Sequence, residues 1–248
     1  MVLVMNADGK ELVSFKGVKW VFFDMGGVLV DSGPLFSYIA ENLCLKLHVD
    51  VEFLRERIIR HFARLKSEER FKSAKRLFYE SLLEIAKELH IEPALAQRVA
   101  IEARRLYAEF FASRVQLYPD ALTCLEALES LGFKLGVISD ADWDVLKVEM
   151  ERLNILKYFS VIIASSRVRS YKPSLKIFTS ALKLARCRRG EAVYIGDAEV
   201  DMGSKQAGFI FILLDRGEKE LAKNVYLNAD IIVGNLKEVV NLFTMARE

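Results

Sequence analysis

The chain has 248 residues, 52% of them hydrophobic, and its 36 Lys and Arg residues nearly balance its 34 Asp and Glu residues, for a net charge of +2. A chain of this length forms one large domain or two small ones around a substantial core. No basic block is interleaved with aromatic residues, and no apolar run approaches the ~20 residues of a spanning helix. The sequence therefore gives no reason to expect a nucleic-acid or membrane partner.

The first predicted elements are a short hairpin and a buried strand. Residues 1–5 (MVLVM) and 11–15 (ELVSF) are apolar runs on either side of a polar turn, which predicts an antiparallel pair rather than a signal segment. The next apolar run, 18–23 (VKWVFF), ends at Asp24, and Gly26 and Gly27 follow. A carboxylate and two glycines directly after a buried strand are typical of phosphate chemistry, although a solvated turn is the alternative for Asp24 taken alone.

Residues 34–114 form one long helical segment. Apolar residues recur there at helical spacing, and no convincing strand pattern interrupts them. We expect an all-helical insertion with short hinges near residues 31–34 and 115–119. The three cysteines, Cys44, Cys124 and Cys187, are widely separated and form no Cys-x-x-Cys pair, which is typical of reduced thiols in a cytoplasmic protein.

After Tyr118 strands and helices alternate at βα spacing, which predicts a parallel sheet with helices on both faces. Polar residues that could take part in catalysis or binding follow two of these strands or lie at the start of a helix. They are Ser139 and Asp140 after the strand 135–138, Lys172 before Pro173, and Asp197 after the strand 192–195, with Asp201 four residues later.

These motifs, taken in order, resemble those of the haloacid dehalogenase superfamily of phosphohydrolases. The match consists of an acid after the first core strand, a Ser, a Lys before a helix and a Gly-Asp with a following acid, on Asp24, Ser139, Lys172, Asp197 and Asp201. The resemblance implies an α/β fold with a Rossmann-like parallel sheet, formed by residues 1–33 and 115–248. It also implies that residues 34–114 form a helical cap domain that closes over the site and selects the substrate.

The resemblance implies a phosphohydrolase that acts on a small phosphorylated metabolite through an aspartyl phosphate. Asp24 is the expected nucleophile, and Lys172 and Ser139 are the expected catalytic partners. Mg²⁺ prefers oxygen ligands, and we expect them from Asp24, the Gly26 carbonyl, Asp197 and Asp201. The expected phosphate donors are Ser139, Asp140, Lys172 and Gly27.

One position departs from the phosphatase pattern. Most phosphatases that this chain resembles have a second acid two residues after the nucleophile, which protonates the leaving group, and here that residue is Gly26. A cap histidine, His48 or His61, is one substitute donor, although each is more simply read as a helix-surface residue. The departure leaves open a 2-haloacid dehalogenase, which needs no leaving-group proton, a phosphonate-cleaving enzyme with a cap lysine, and a catalytically weak phosphate-binding regulator. The sequence does not identify the substrate or the oligomeric state.

Overall fold

The computed structural model describes residues 3–5 and 11–245. Its first element is an antiparallel pair of β1 (Leu3–Met5) and β2 (Glu11–Ser14), in which Leu3 lies opposite Ser14. The predicted hairpin is therefore confirmed for its two strands, while its turn lies outside the described residues.

The remaining strands form one large sheet and one short ladder. They are β3 (Trp20–Phe23), β4 (Val30–Asp31), β5 (Gln116–Leu117), β6 (Lys134–Ser139), β7 (Phe159–Ala164), β8 (Ala192–Gly196), β9 (Ile210–Leu214) and β10 (Ile231–Val233). The large sheet is parallel and has the order β10-β9-β8-β3-β6-β7. Every residue of β3 is buried, as expected for a central strand of a parallel sheet that is covered on both faces.

This strand order sets the position of the site. From β3 the chain moves to β6 and β7 on one side and then returns to β8, β9 and β10 on the other. The strand order therefore reverses around β3, and ligands of open α/β sheets bind at the carboxyl ends of the strands at such a point. Asp24, Ser139 and Asp197 lie at the carboxyl ends of β3, β6 and β8.

The helical segment contains four helices in the described structure. They are α1 (Leu35–Leu47), α2 (Val51–Lys66), α3 (Ala74–Glu88) and α4 (Pro93–Ser113). Their starts follow local chemistry, since Asp50 accepts from the Phe53 amide at 3.0 Å and Ser73 accepts from the Arg76 amide at 3.4 Å. The chain enters and leaves this segment through β4 and β5, whose antiparallel ladder holds the two connections side by side.

Seven further helices flank the sheet in the described residues. They are α5 (Ala121–Ser130), α6 (Trp143–Arg152), α7 (Ser165–Val168), α8 (Leu175–Ala185), α9 (Gly203–Ala207), α10 (Lys223–Asn228) and α11 (Leu236–Met245). Val21 and Phe23 of β3 pack on the face that is covered by α5, α6 and α11, and Trp20 and Phe22 pack on the face that is covered by α8. The predicted α/β sheet with helices on both faces is thus confirmed. Within the described chain no helix is long and apolar enough to cross a lipid bilayer.

Candidate active site

A buried ion pair between Asp24 and Lys172 lies at the centre of the site. The Lys172 Nζ is 2.5 Å from the Asp24 Oδ2, and both residues are buried. The other Asp24 oxygen accepts from the Met25 amide at 2.8 Å. Burial raises the pKa of Asp24 to about 7, against the opposing attraction of Lys172. Burial by itself lowers the pKa of Lys172, but the neighbouring carboxylates, led by Asp201, hold it above its usual value.

The Asp201 carboxylate holds the Lys172 ammonium in place. Its Oδ1 accepts from the Lys172 Nζ at 2.7 Å and from the Tyr194 hydroxyl at 2.8 Å. Its Oδ2 accepts from the backbone amides of Asp197 and Ala198, each at 3.0 Å. Asp201 is fully buried, so four donors surround a carboxylate without access to solvent. This arrangement makes Asp201 the support of Lys172 and of the loop after β8.

Asp197 offers a second carboxylate close to Asp24, within 4.8 Å. A Cβ at position 27 would collide with the Asp197 Oδ2, and Gly27 also has a φ of +77°, so only glycine fits beside this carboxylate. The ammonium of Lys219 forms an ion pair with the same Oδ2. Burial and the charge of Asp201 raise the pKa of Asp197, while Lys219 opposes the rise. The Asp197 carboxylate is therefore held at a place where a further cation is favoured.

The donor set fits a hard divalent cation. Asp24, Asp197 and Asp201 each offer a carboxylate oxygen, and these oxygens lie within 4.8 Å of one another. The nearby turn leaves the Gly26 carbonyl without a hydrogen bond from any described residue, because the amides of Leu29 and Val30 both donate to the Met25 carbonyl. Carboxylate and carbonyl oxygens are the ligands that Mg²⁺ takes in proteins. Each Asp201 oxygen already accepts from two donors, whereas each Asp24 oxygen accepts from one and Lys219 contacts one oxygen of Asp197, so Asp24, Asp197 and the Gly26 carbonyl have more room for a cation.

The residues that we expected to bind phosphate differ in the contacts that they make in the structure. Ser139, at the end of β6, is buried and lines the cavity. The Asp140 carboxylate accepts from the Lys172 amide at 2.9 Å and from the Lys66 Nζ at 2.8 Å, so its side chain holds two cationic residues in place. Gly27 was expected to offer its amide, but that amide donates to the Val30 carbonyl at 2.8 Å within the turn. For Gly27 the geometry supports the steric function described above instead.

A cavity of about 600 Å³ lies between the sheet edge and the helical segment. The core contributes Asp24, Ser139, Lys172 and Asp197 to its lining. The helices contribute one ammonium, Lys66, whose Nζ also lies 4.6 Å from the centre of the Tyr171 ring, together with the aromatic side chains Phe36, Phe62, Phe78, Tyr107 and Phe111.

Sequence reasoning missed Lys66, Tyr194 and Lys219, because each belongs to a helix face, strand or charged loop without a motif. Proximity to the carboxylates becomes visible only after folding.

The two cap histidines do not line this cavity. His61 is buried within the helical segment, with its Nδ1 2.7 Å from Glu84 and its Nε2 3.1 Å from Glu88. His48 is exposed and has a φ of +54° at the end of α1. Neither histidine is placed to deliver a proton to a group bound near Asp24. The proton donor that is missing at position 26 therefore has to come from another residue.

The chain is similar to several known proteins. Residues 21–214 match the family model described as haloacid dehalogenase-like hydrolase. The chain is 25% identical to a glyceraldehyde 3-phosphate phosphatase of Methanothermobacter thermautotrophicus, over 90% of the chain and 100% of that enzyme. It is 32% identical to the enzyme of the same name from Methanopyrus kandleri, over 41% of the chain and 44% of that enzyme. The chain thus spans less than half of the Methanopyrus relative.

A solved structure also matches most of the chain. The 2-haloacid dehalogenase of Pseudomonas syringae pv. Tomato DC3000 has a TM-score of 0.68 and 24% identity, and the match covers 92% of this chain and 99% of that one. A likeness at this level of identity concerns the fold alone. The choice of reaction has to come from the groups within the site.

Proposed function

Because the chain belongs to the haloacid dehalogenase-like hydrolases, we propose that it is a Mg²⁺-dependent phosphohydrolase that forms an aspartyl phosphate on Asp24. The matched relatives that carry the phosphatase name support the class of reaction. The cation and the covalent intermediate are proposed from the geometry of the site.

One observation carries the proposal. Asp24 and Asp197 offer carboxylate oxygens within 4.8 Å of each other, and Gly26, whose carbonyl has no hydrogen bond from a described residue, lines the same cavity, so two buried anions share a space that suits one hard cation. Burial and then the charges of Asp201 and Asp197 raise the pKa of Asp24, and burial and the charge of Asp201 raise the pKa of Asp197, so the carboxylates repel one another without a cation. An enzyme without a metal has no use for this second carboxylate.

Each residue then has a defined task. Asp24 attacks phosphorus, the bond from phosphorus to the leaving oxygen breaks, and water later hydrolyses the aspartyl phosphate. Lys172 holds Asp24 in place and offers positive charge to the phosphoryl oxygens, while Asp201 and Tyr194 keep its ammonium at that point. Ser139 offers its hydroxyl to the same oxygens. Magnesium, when bound by Asp24, Asp197 and the Gly26 carbonyl, supplies charge neutralisation between nucleophile and phosphate.

We propose that residues 34–114 act as a cap that selects a small phosphorylated metabolite. The cavity of about 600 Å³ suits a ligand of this size. Lys66 of the proposed cap forms an ion pair with Asp140 of the core and lines the cavity, so an ammonium is available to a bound substrate. Closure of the cap would exclude water from the reaction. The enzyme is proposed to act in the cytoplasm.

A 2-haloacid dehalogenase is the second candidate, and Gly26 is the observation that favours it. Release of a halide needs no proton, so the missing acid costs that reaction nothing. Asp197 argues against this candidate, because hydrolysis of a carbon-halogen bond makes no use of a metal-type carboxylate at that place. A regulator that only binds phosphate has no need of a nucleophile, and Asp24 argues against it. Lys66, the cap lysine in the cavity, is ion-paired with Asp140, and trapping with borohydride would test a phosphonate-cleaving reaction.

An assay on p-nitrophenyl phosphate with Mg²⁺ or with EDTA tests the proposal. We expect turnover with Mg²⁺, its loss in EDTA, and its loss in folded Asp24→Asn. Asp144→Asn is the matched control, because that carboxylate is 68% exposed on α6. Chloride release from 2-chloropropionate in EDTA, without phosphatase activity, would instead favour the dehalogenase.

A further inference from the structure

Glu149 is a buried acid that lines the cavity and has one oxygen without a hydrogen-bond partner in the described structure. Its relative exposure is 1%, and its Oε1 has no hydrogen-bond partner anywhere in the described structure. Glu149 belongs to the apolar face of α6, where the other buried residues are Val145, Leu146 and Met150. Buried carboxyl groups ordinarily have hydrogen-bond partners, because desolvation without them is costly. A carboxyl at such a position is either a structural defect or a group kept for a ligand.

The other acids that line the cavity differ from Glu149. Each of these other acids accepts at least one hydrogen bond within the described structure. They are Asp24, Asp31, Asp140, Asp197, Asp215 and Glu218. Their oxygens are engaged in turns, ion pairs or the proposed metal site. Glu149 is thus the lining carboxyl that is free to make a new bond to a substrate atom.

The surroundings of Glu149 favour its neutral form. Burial raises the pKa of Glu149 to about 8, the guanidinium of Arg152 on the same helix opposes this rise, and the charge of Asp24 adds to it. Arg152 donates to the Val115 carbonyl, so its charge is shared with the backbone. At neutral pH the Glu149 carboxyl therefore holds a proton that it can give up.

Gly26 explains why such a proton is needed. The residue two positions after the proposed nucleophile has no side chain, and a Cβ there would collide with the Ser32 Oγ. Departure of a simple alkoxide from phosphorus is slow without a proton, and a positioned acid accelerates it by about 10² to 10⁴.

We propose that Glu149 is the general acid that protonates the leaving-group oxygen. The inference rests on the proposed phosphohydrolase function and adds a catalytic residue to it. In the first step Asp24 forms its bond to phosphorus, the bond to the leaving oxygen breaks, and that oxygen takes its electron pair and the Glu149 proton to become an alcohol. In the second step the Glu149 carboxylate takes a proton from a water molecule as the water oxygen forms its bond to phosphorus. The bond between Asp24 and phosphorus then breaks, which releases phosphate and restores both carboxyl groups.

The test compares leaving groups in wild type, Glu149→Gln and the control Glu151→Gln. Gln keeps the shape and a donor hydrogen but transfers no proton, and Glu151 is an exposed acid two residues away on α6. Substrates are p-nitrophenyl phosphate, whose leaving group departs without a proton, and glycerol phosphate, whose leaving group needs one. We expect kcat/KM for glycerol phosphate to fall about 10²- to 10⁴-fold in Glu149→Gln, while the value for the aryl ester changes by less than about fivefold. Glu151→Gln should match wild type on both esters.

The possible failures are distinguishable. If wild type hydrolyses both esters and Glu149→Gln loses neither activity, or loses both equally while folded by circular dichroism, Glu149 is not the acid and the phosphohydrolase proposal stands. If wild type hydrolyses neither ester with Mg²⁺, the proposed phosphohydrolase function is refuted, and the proposed role of Glu149 as its general acid is refuted with it. Wild type also gives a check without any variant, because a steep dependence of its phosphorylation rate on leaving-group pKa would mean that no acid operates.

Discussion

Replacement of Asp201 by Asn separates the support of Lys172 from metal binding. The variant keeps an oxygen that accepts from the amides of Asp197 and Ala198 at 3.0 Å. It removes the negative charge that the Lys172 Nζ contacts at 2.7 Å and the Tyr194 hydroxyl contacts at 2.8 Å. Lys172 then keeps Asp24 as its one buried counter-charge in direct contact.

The magnitude follows from these two bonds. Hydrogen bonds to charged groups contribute about 1.5 to 3 kcal/mol each, and removal of one partner of a buried ion pair costs about 3 to 5 kcal/mol. Because Asp24 still neutralises Lys172, we expect the lower end, about 3 kcal/mol. For a chain of this size that loss lowers Tm by about 6 to 12 °C.

The assay is thermal and urea unfolding in EDTA, followed by calorimetric titration of the same proteins with Mg²⁺. Asp201→Asn should lose about 3 kcal/mol and keep Mg²⁺ affinity within about tenfold. Asp197→Asn is the matched variant, expected to change stability by less than about 1 kcal/mol, because its partner Lys219 is 45% exposed, and to lose Mg²⁺ binding. If Asp201→Asn lost Mg²⁺ binding as completely as Asp197→Asn and kept its stability, Asp201 would be a ligand and the reasoning would be refuted.

Three further predictions concern residues around the cavity. Lys219→Met should tighten Mg²⁺ binding about two- to fivefold in calorimetry, because an exposed ammonium no longer competes for Asp197, and weaker binding would contradict this. Lys66→Met should raise KM about tenfold for phosphate esters with a second anionic group but not for p-nitrophenyl phosphate, because the cap ammonium is lost; equal effects on both would refute a part in selection. The pKa of Glu149 is about 8 in the folded protein, whereas that of an unfolded Glu is 4.5. Between these two pH values the unfolded state releases the proton and the folded state keeps it, so this group destabilises the folded protein increasingly as pH rises. Glu149→Gln should therefore raise the free energy of unfolding by roughly 3 kcal/mol at pH 7 and by little at pH 5, measured with urea, and a gain independent of pH would contradict a buried neutral carboxyl.

The fold was predictable where apolar pattern and chain direction act together. The buried runs that end at Asp24, Ser139 and Gly196 are long enough to identify strands, and their alternation with helices leaves a parallel sheet as the economical arrangement. The strand β7, Phe159–Ala164, was not predicted, because it follows a turn without any motif and alternates buried with less buried residues. The two-residue strands β4 and β5 exist only because the two connections of the helical segment meet.

The site was predictable only where a residue follows a strand. Asp24, Ser139 and Asp197 lie at strand ends, so chain topology alone brings them to one edge of the sheet. Lys66 and Lys219 come from a helix and a loop that approach this edge through tertiary packing, which no local pattern encodes. Glu149 did leave a signal, because an acid on the apolar face of α6 departs from helical amphipathicity. The division of tasks between Asp197 and Asp201 depends on which oxygens already have donors, and it requires coordinates.

The central claim is that Asp24 becomes phosphorylated, and peptide mapping of the enzyme during turnover tests it most directly. Mixing with p-nitrophenyl phosphate and Mg²⁺, followed by rapid acid quench and mass spectrometry, should find one phosphoryl group on the peptide that contains Asp24. The label should be absent with EDTA and in Asp24→Asn. Sustained phosphatase turnover by Asp24→Asn, or a label that forms on another residue, would contradict the account.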